Sequence, residues 1–442
     1  MVQIGRGMAA EAVDITVRDG VAVLCGGFGA NVSDVSKPSV PRFIGVAGER
    51  CQHGAFGPRT ERGQILYLTH HGDSWVSTPS LSTWLVTANA IEVLDTIEDP
   101  NRLWEGPAWQ AGFLYVAAHQ GGLLTYRTSG DGLPRLVHTL GGFKNAWKVE
   151  VAGPVAYVVD NDDGVYVIDL RNPEAPAVSQ LVETTGKPRD LAIGDGRVYV
   201  ALGGSGVDVF DIAADGLDLG KVNNIDTLGS AQSVSVAEGV LAVAAWTHVA
   251  TYDARTLMLL ATETTRGFPE FEQNLGVSSV GKHVFVAEWE FLFTLEHRPG
   301  LVAPDMWVDA QQYQFPRDEA RARAIIVRNV GRLPVEIDAI SAGDAAFALD
   351  KTKLSIPPRE AAAVELTYSP TAGKEQSLLE ISSNDPDPEQ ASWQGGLLVS
   401  SDAGLDVGDR LDDAFAFLDP NGQNQVAGLQ GKVIVLSYFA LF

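Results

Sequence analysis

Val155–Leu170, VAYVVDNDDGVYVIDL, decides the fold. Two apolar runs flank Asn161-Asp162-Asp163-Gly164, residue types that turn a chain cheaply, so the stretch reads as a β-hairpin. The same pair recurs along the sequence. Its first strand returns as Phe113–Ala118 (FLYVAA), Arg197–Leu202 (RVYVAL), Leu241–Trp246 (LAVAAW) and His283–Glu288 (HVFVAE). Its second strand returns as Gly122–Thr128, Gly206–Ile212, His248–Ala254 and Phe291–His297. The third residues of the first strands, Tyr115, Tyr157, Tyr199, Val243 and Phe285, fall 42, 42, 44 and 42 apart.

Working outward, an alternating strand precedes each hairpin, as at Arg189–Ile193 and Gln232–Val236. Two divergent copies come first, around Val21–Cys25 with Ala30–Val35 and around Ile65–Thr69 with Trp84–Ala88. Four short strands repeated seven times predict a seven-bladed β-propeller, in which each blade buries its faces only against neighbours. The last copy shows three strands, and Val2–Ile4 is expected to supply the fourth. Trp109, Trp147, Arg189 and Gln232, near the starts of inner strands, are expected at the channel mouth.

The repeat resembles the LVIVD family, most closely at Val155–Pro176 with Asn172, Pro173 and Pro176, and again at Ala30–Pro41 with Asp34, Pro38 and Pro41. The resemblance covers roughly residues 12–298. It implies a propeller over residues 1–300 and says little about function, because propellers host enzymes and docking platforms alike.

From Leu301 the period ends. Ala324–Asn329, Val335–Ile340, Phe347–Leu349, Leu354–Ile356, Ala363–Tyr368, Leu378–Ser382 and Trp393–Val399 read as short strands of an antiparallel sandwich over residues 301–400. Val-Arg-Asn-Val-Gly (327–331), Tyr-Ser-Pro-Thr (368–371) and Ser-Asn-Asp-Pro-Asp (383–387) resemble the choice-of-anchor D type of immunoglobulin-like domain. That resemblance implies a spacer or adhesion module without catalytic residues.

Residues 401–413 read as an acidic linker. In 414–442, Ala-Phe-Ala-Phe-Leu-Asp-Pro-Asn-Gly (414–422) and Leu-Gln-Gly-Lys-Val-Ile-Val-Leu-Ser-Tyr-Phe-Ala-Leu-Phe (429–442) resemble the opening of a redoxin or thioredoxin-like domain. In that family the next residue is the first cysteine of C-x-x-C. The expectation is therefore an incomplete thioredoxin-like stub, from a chain truncated relative to its gene. A selenocysteine codon read as a stop would produce it, as would a frameshift, a contig end or a nonsense mutation.

Composition narrows the function. Against 32 Lys+Arg stand 56 Asp+Glu, a net charge of −24, which argues against a nucleic-acid partner. The N-terminus lacks the apolar run of a signal peptide, and no stretch approaches the 18 or more apolar residues of a membrane-spanning helix. Two cysteines exclude a disulfide scaffold and a Cys-rich zinc site. Cys25, on an apolar strand, reads as a buried structural thiol, and Cys51 is left unassigned.

His70-His71-Gly72-Asp73 offers metal donors, but adjacent histidines on a strand face opposite ways. It reads as a loop-lining pair, and His53 and His119 as single surface or channel residues. Asp160-Asn161-Asp162-Asp163-Gly164 lacks the downstream Glu of a calcium loop and reads as a turn. No catalytic, cofactor-binding or metal residue is assigned. The expectation is a non-catalytic binding or scaffold protein whose propeller face meets a protein or cell-surface partner. Family resemblance places it outside the cell or in the envelope. The alternative is a thiol or selenol oxidoreductase of peroxiredoxin type whose active-site Cys or Sec would follow Phe442.

Overall fold

The computed structural model describes the chain except residues 10, 73–77, 264, 266–272, 299–302, 309–311, 371–375, 387, 401–415, 418–423 and 426–442. Two compact units divide it, Met1–Val302 and Ala303–Phe442.

The first unit holds seven four-stranded antiparallel sheets among its described residues. Six are made of consecutive strands. The fourth, for example, runs Ala146–Ala152, Val155–Asp160, Gly164–Asp169 and Ala177–Val182. The seventh combines Asn274–Val280, His283–Glu288 and Phe291–Glu296 with Val2–Met8 from the other end of the unit. Val2 pairs with Glu296 and Met8 with Phe291, so the N-terminal strand completes that sheet, as expected.

The second strands are apolar on both faces because both are covered. Every residue of Val155–Asp160 is buried, whereas the outer strand Ala177–Val182 is mostly exposed. Tyr157, Val159 and Val165 of the fourth sheet share a core with Val198, Val200 and Phe210 of the fifth. Ala22 and Leu24 of the first sheet likewise pack with Phe285, Ala287 and Leu292 of the seventh. Neighbour-to-neighbour packing therefore closes on itself in a propeller-like repeat. Each such side chain contributes roughly 1.5–3 kcal/mol, available only when the adjoining sheet is present.

Two devices recur with the repeat. Tyr67, Tyr157 and Tyr199 donate hydrogen bonds to the carbonyls of Gly132, Gly216 and Ala254 at 2.6, 2.9 and 2.7 Å, stapling a second strand to the outer turn of the next sheet. Gly164 has φ +120°, and a Cβ there would lie 2.2 Å from the Val182 carbonyl oxygen. Gly122 and Gly206 hold the same place in adjoining sheets, which explains the glycine opening the second hairpin strand in these three copies.

Cys25 and Cys51 form a disulfide, and both are buried. This corrects the reading of Cys25 as a free thiol. Cys25 lies in the second strand of the first sheet. After the outer strand Arg42–Ala47, the chain returns past that strand to begin the next sheet, and Cys51 sits at the return.

In the second unit, Met306–Val308, Arg321–Asn329, Ala361–Tyr368 and Phe347–Leu349 form one sheet. Gln312–Pro316, Ser392–Ser400, Gln376–Ser383, Val335–Ala342 and Leu354–Ile356 form the other. Phe315, Val327, Ile337, Leu366, Ile381 and Trp393, drawn from both, share one core. Two strands escaped the sequence reading, Met306–Val308 and Gln312–Pro316, the latter paired parallel to Ser392–Ser400. The acidic linker and the redoxin-like motifs lie outside the described residues, apart from the short pair Ala416–Phe417 and Asn424–Gln425.

Candidate functional site

Glu105 precedes the first strand of the third sheet and is completely buried. Its amide donates to the Ala117 carbonyl at 2.8 Å, which fixes it beside the second strand of its own sheet. Three histidines surround its carboxylate. His71 Nδ1 lies 2.5 Å and His119 Nε2 2.7 Å from Oε1, and His53 Nε2 lies 3.6 Å from Oε2. Oε2 is buried and has no hydrogen-bond partner. Burial pushes the Glu105 carboxyl upward, but the hydrogen bonds from His119 and His71 outweigh it and hold the pKa at about 2. For His119, burial favours the neutral ring, yet bonding to Glu105 raises its pKa overall.

The backbone positions each group. His53 opens the strand His53–Arg59, His71 follows Gln64–His70, and His119 follows Phe113–Ala117 with φ +47°. That left-handed residue is held by paired amide bonds with Ala146, 2.9 Å one way and 3.2 Å the other. His119 Nδ1 lies 2.6 Å from Asn145 Oδ1. The amides of Lys144 and Asn145 donate to Asp160 Oδ2 at 2.9 and 2.8 Å. Asp160 Oδ1 accepts from the amides of Asp162 and Asp163. The segment weighed as a calcium loop is thus a hairpin turn whose aspartate anchors Asn145. Trp147 meets His53 and His119 edge-on, with centroids 6.2 and 5.6 Å away.

Beside this cluster runs an ion network. Lys148 Nζ lies 3.1 Å from Asp14 Oδ1 and 3.6 Å from Asp190 Oδ1, and His53 Nδ1 lies 3.0 Å from Asp14 Oδ2. Burial raises the Asp14 pKa, but Lys148 and His53 pull it well below the carboxylate range. Burial pushes Glu150 up to about 7 against the pull of Lys148, with Asp190 and Asp14 adding to the rise.

A cavity of about 460 Å³ opens here, lined among others by Asp14, His53, Trp147, Lys148, Arg189 and Gln232. A second, of about 620 Å³, is lined among others by Arg102, His119, Lys144 and Asn145. Trp147, Arg189 and Gln232 therefore line a mouth as expected. Trp109 does not line either cavity and donates its indole N–H to Thr128 Oγ1 at 3.1 Å.

His71, Glu105 and His119 offer one ligand atom each, all within 4.8 Å of one another. His70 ends its strand and is buried outside that group, but the two histidines do not face opposite ways as expected, because His71 lies past the strand and its ring stacks on that of His70 with centroids 6.3 Å apart. Convergence across sheets escaped the sequence reading. The available signal was a histidine just past the second strand in two successive copies, His71 and His119.

Comparison with known proteins adds one family. The LVIVD repeat matches residues 144–184, a span containing the whole fourth sheet. No curated protein matches the chain. Among solved structures, the crystal structure of the computationally designed Ika8 protein is similar at 10% identity, covering 64% of this chain and 82% of that one with a TM-score of 0.45.

Proposed function

We propose that the chain is an exported or cell-envelope binding protein, a seven-bladed propeller followed by an immunoglobulin-like module. Its ligand seat is the 460 Å³ mouth. The observation that carries this reading is the convergence there of Asp14, His53, Trp147, Lys148, Arg189 and Gln232 from separate sheets. A concave site with an aromatic wall and a few convergent polar groups is the form that ligand seats take. Asp14 and Asp190 are matched by Lys148, while Arg189 and Lys187 stand exposed at the rim, Arg189 donating to Gln232 Oε1 at 3.1 Å and Lys187 paired at 3.0 Å with the exposed Asp162. A carboxylate-bearing ligand, such as an acidic peptide segment of a partner, suits them. The Cys25–Cys51 disulfide supports an oxidising compartment.

Calorimetry with a short Asp/Glu-rich peptide, against its amidated Asn/Gln counterpart, tests the reading. Saturable binding to the acidic peptide, weakened at least tenfold by combined Arg189→Ala and Lys187→Ala, is expected. Equal response to both peptides, or unchanged affinity in the variant, contradicts it.

A further inference from the structure

We propose that His71, Glu105 and His119 form a binding site for a divalent transition ion of the zinc class. Several independent features converge on it. The donors come from two neighbouring sheets, and their ligand atoms lie within 4.8 Å of one another. Imidazole nitrogen with carboxylate oxygen is a donor set that suits zinc and its neighbours and not calcium or magnesium, which favour oxygen alone.

The carboxylate is completely buried, and its Oε2 has no hydrogen-bond partner. Both histidine nitrogens meet Oε1, and Oε2 faces only His53 Nε2 at 3.6 Å, beyond hydrogen-bond length, so the buried carboxylate keeps acceptor capacity that a coordinated cation satisfies. The far nitrogen of His119 faces Asn145 Oδ1 at 2.6 Å, which holds Nδ1 as the donor and turns Nε2 toward Glu105. This is the outer-shell arrangement that fixes the tautomer of a metal-binding histidine. Asn145 is held in turn by Asp160 through its amide.

Coordination replaces the hydrogen bonds at 2.5 and 2.7 Å with metal bonds. The donors then move apart to about 3.3 Å, the separation of atoms about 2.05 Å from a tetrahedral ion. His71 is half-exposed and has room to make that adjustment. Three protein donors leave one position of a tetrahedral ion open to water or ligand. His53 stands on the Oε2 side of Glu105, its Nδ1 3.0 Å from Asp14, facing the cavity that it also lines. The metal inference stands apart from the ligand reading, since none of its three donors lines the 460 Å³ mouth and it is read by metal stoichiometry.

The test uses the untagged full chain, stripped with chelator and titrated with zinc alone. The expected result is one zinc per chain, with His71→Ala and His119→Ala each weakening it at least a hundredfold. Asn145→Ala should weaken it about 10–100-fold, the usual effect of an outer-shell loss. Because Glu105 is buried and its replacement endangers folding, cobalt(II) is added to the wild-type chain as a second measurement. Intense d–d bands of a four-coordinate ion, bleached by zinc, are expected. Substoichiometric zinc, a pale six-coordinate cobalt spectrum, or equal affinity in the wild type and both histidine variants overturns the proposal.

Discussion

Lys148 Nζ lies 3.1 Å from Asp14 Oδ1, a residue 134 positions earlier in the chain. The two sit on the first strands of the fourth and first sheets, so their ion pair spans the ring. Both are nearly buried, and Asp190 shares the same ammonium. Lys148→Ala strands two carboxylates without their cation and is expected to cost about 3–5 kcal/mol. Urea unfolding at neutral pH checks this, and a loss under 1 kcal/mol would show the network to be solvated.

The Cys25–Cys51 disulfide closes a 26-residue separation. Loop-closure entropy puts its contribution at about 3.5 kcal/mol. Thiol titration of the chain unfolded without reductant should find no free thiol. Cys51→Ser should lower the urea midpoint with little change in spectroscopic secondary structure.

The Tyr199 hydroxyl donates to the Ala254 carbonyl at 2.7 Å and is buried. Tyr199→Phe removes that staple between sheets while keeping the ring, so a loss of about 1 kcal/mol is expected. Tyr199→Ala also opens a cavity and should cost about 3–5 kcal/mol.

His248 is completely buried, and burial lowers its pKa to about 4 from the usual 6.5. The unfolded chain takes up the proton first, so this residue's contribution to stability shrinks as pH falls from about 6.5 toward 4. Urea midpoints for wild type and His248→Phe between pH 7.5 and 4.5 check the sign. The wild type should lose stability more steeply across that window, and parallel profiles would contradict it.

Much of the first unit was legible because each hairpin repeats the same physical constraints. A tyrosine or other bulky residue fills the inter-sheet core, as Tyr157 does, and a glycine is required where Gly164 crowds the Val182 carbonyl. His248 shows the limit, standing where earlier copies have that glycine. The site was not legible, because His53, His71, Glu105 and His119 occupy positions flanking strands of two sheets. Their separations, 18, 34 and 14 residues, match no ligand motif. The disulfide was missed for the same reason, since adjacency of Cys25 and Cys51 arises from the chain's return between sheets. Met306–Val308 escaped because its three apolar residues show no alternation, and Gln312–Pro316, which does alternate, because it ends in a proline, tolerated at the edge of its sheet.

Crystals of the wild-type chain grown with zinc, measured on both sides of the zinc absorption edge, test the central claim most directly. The expected result is one strong anomalous peak about 2.0–2.2 Å from His71 Nδ1, His119 Nε2 and a Glu105 carboxylate oxygen. A map with no peak there, or with zinc held only by other side chains, would contradict it.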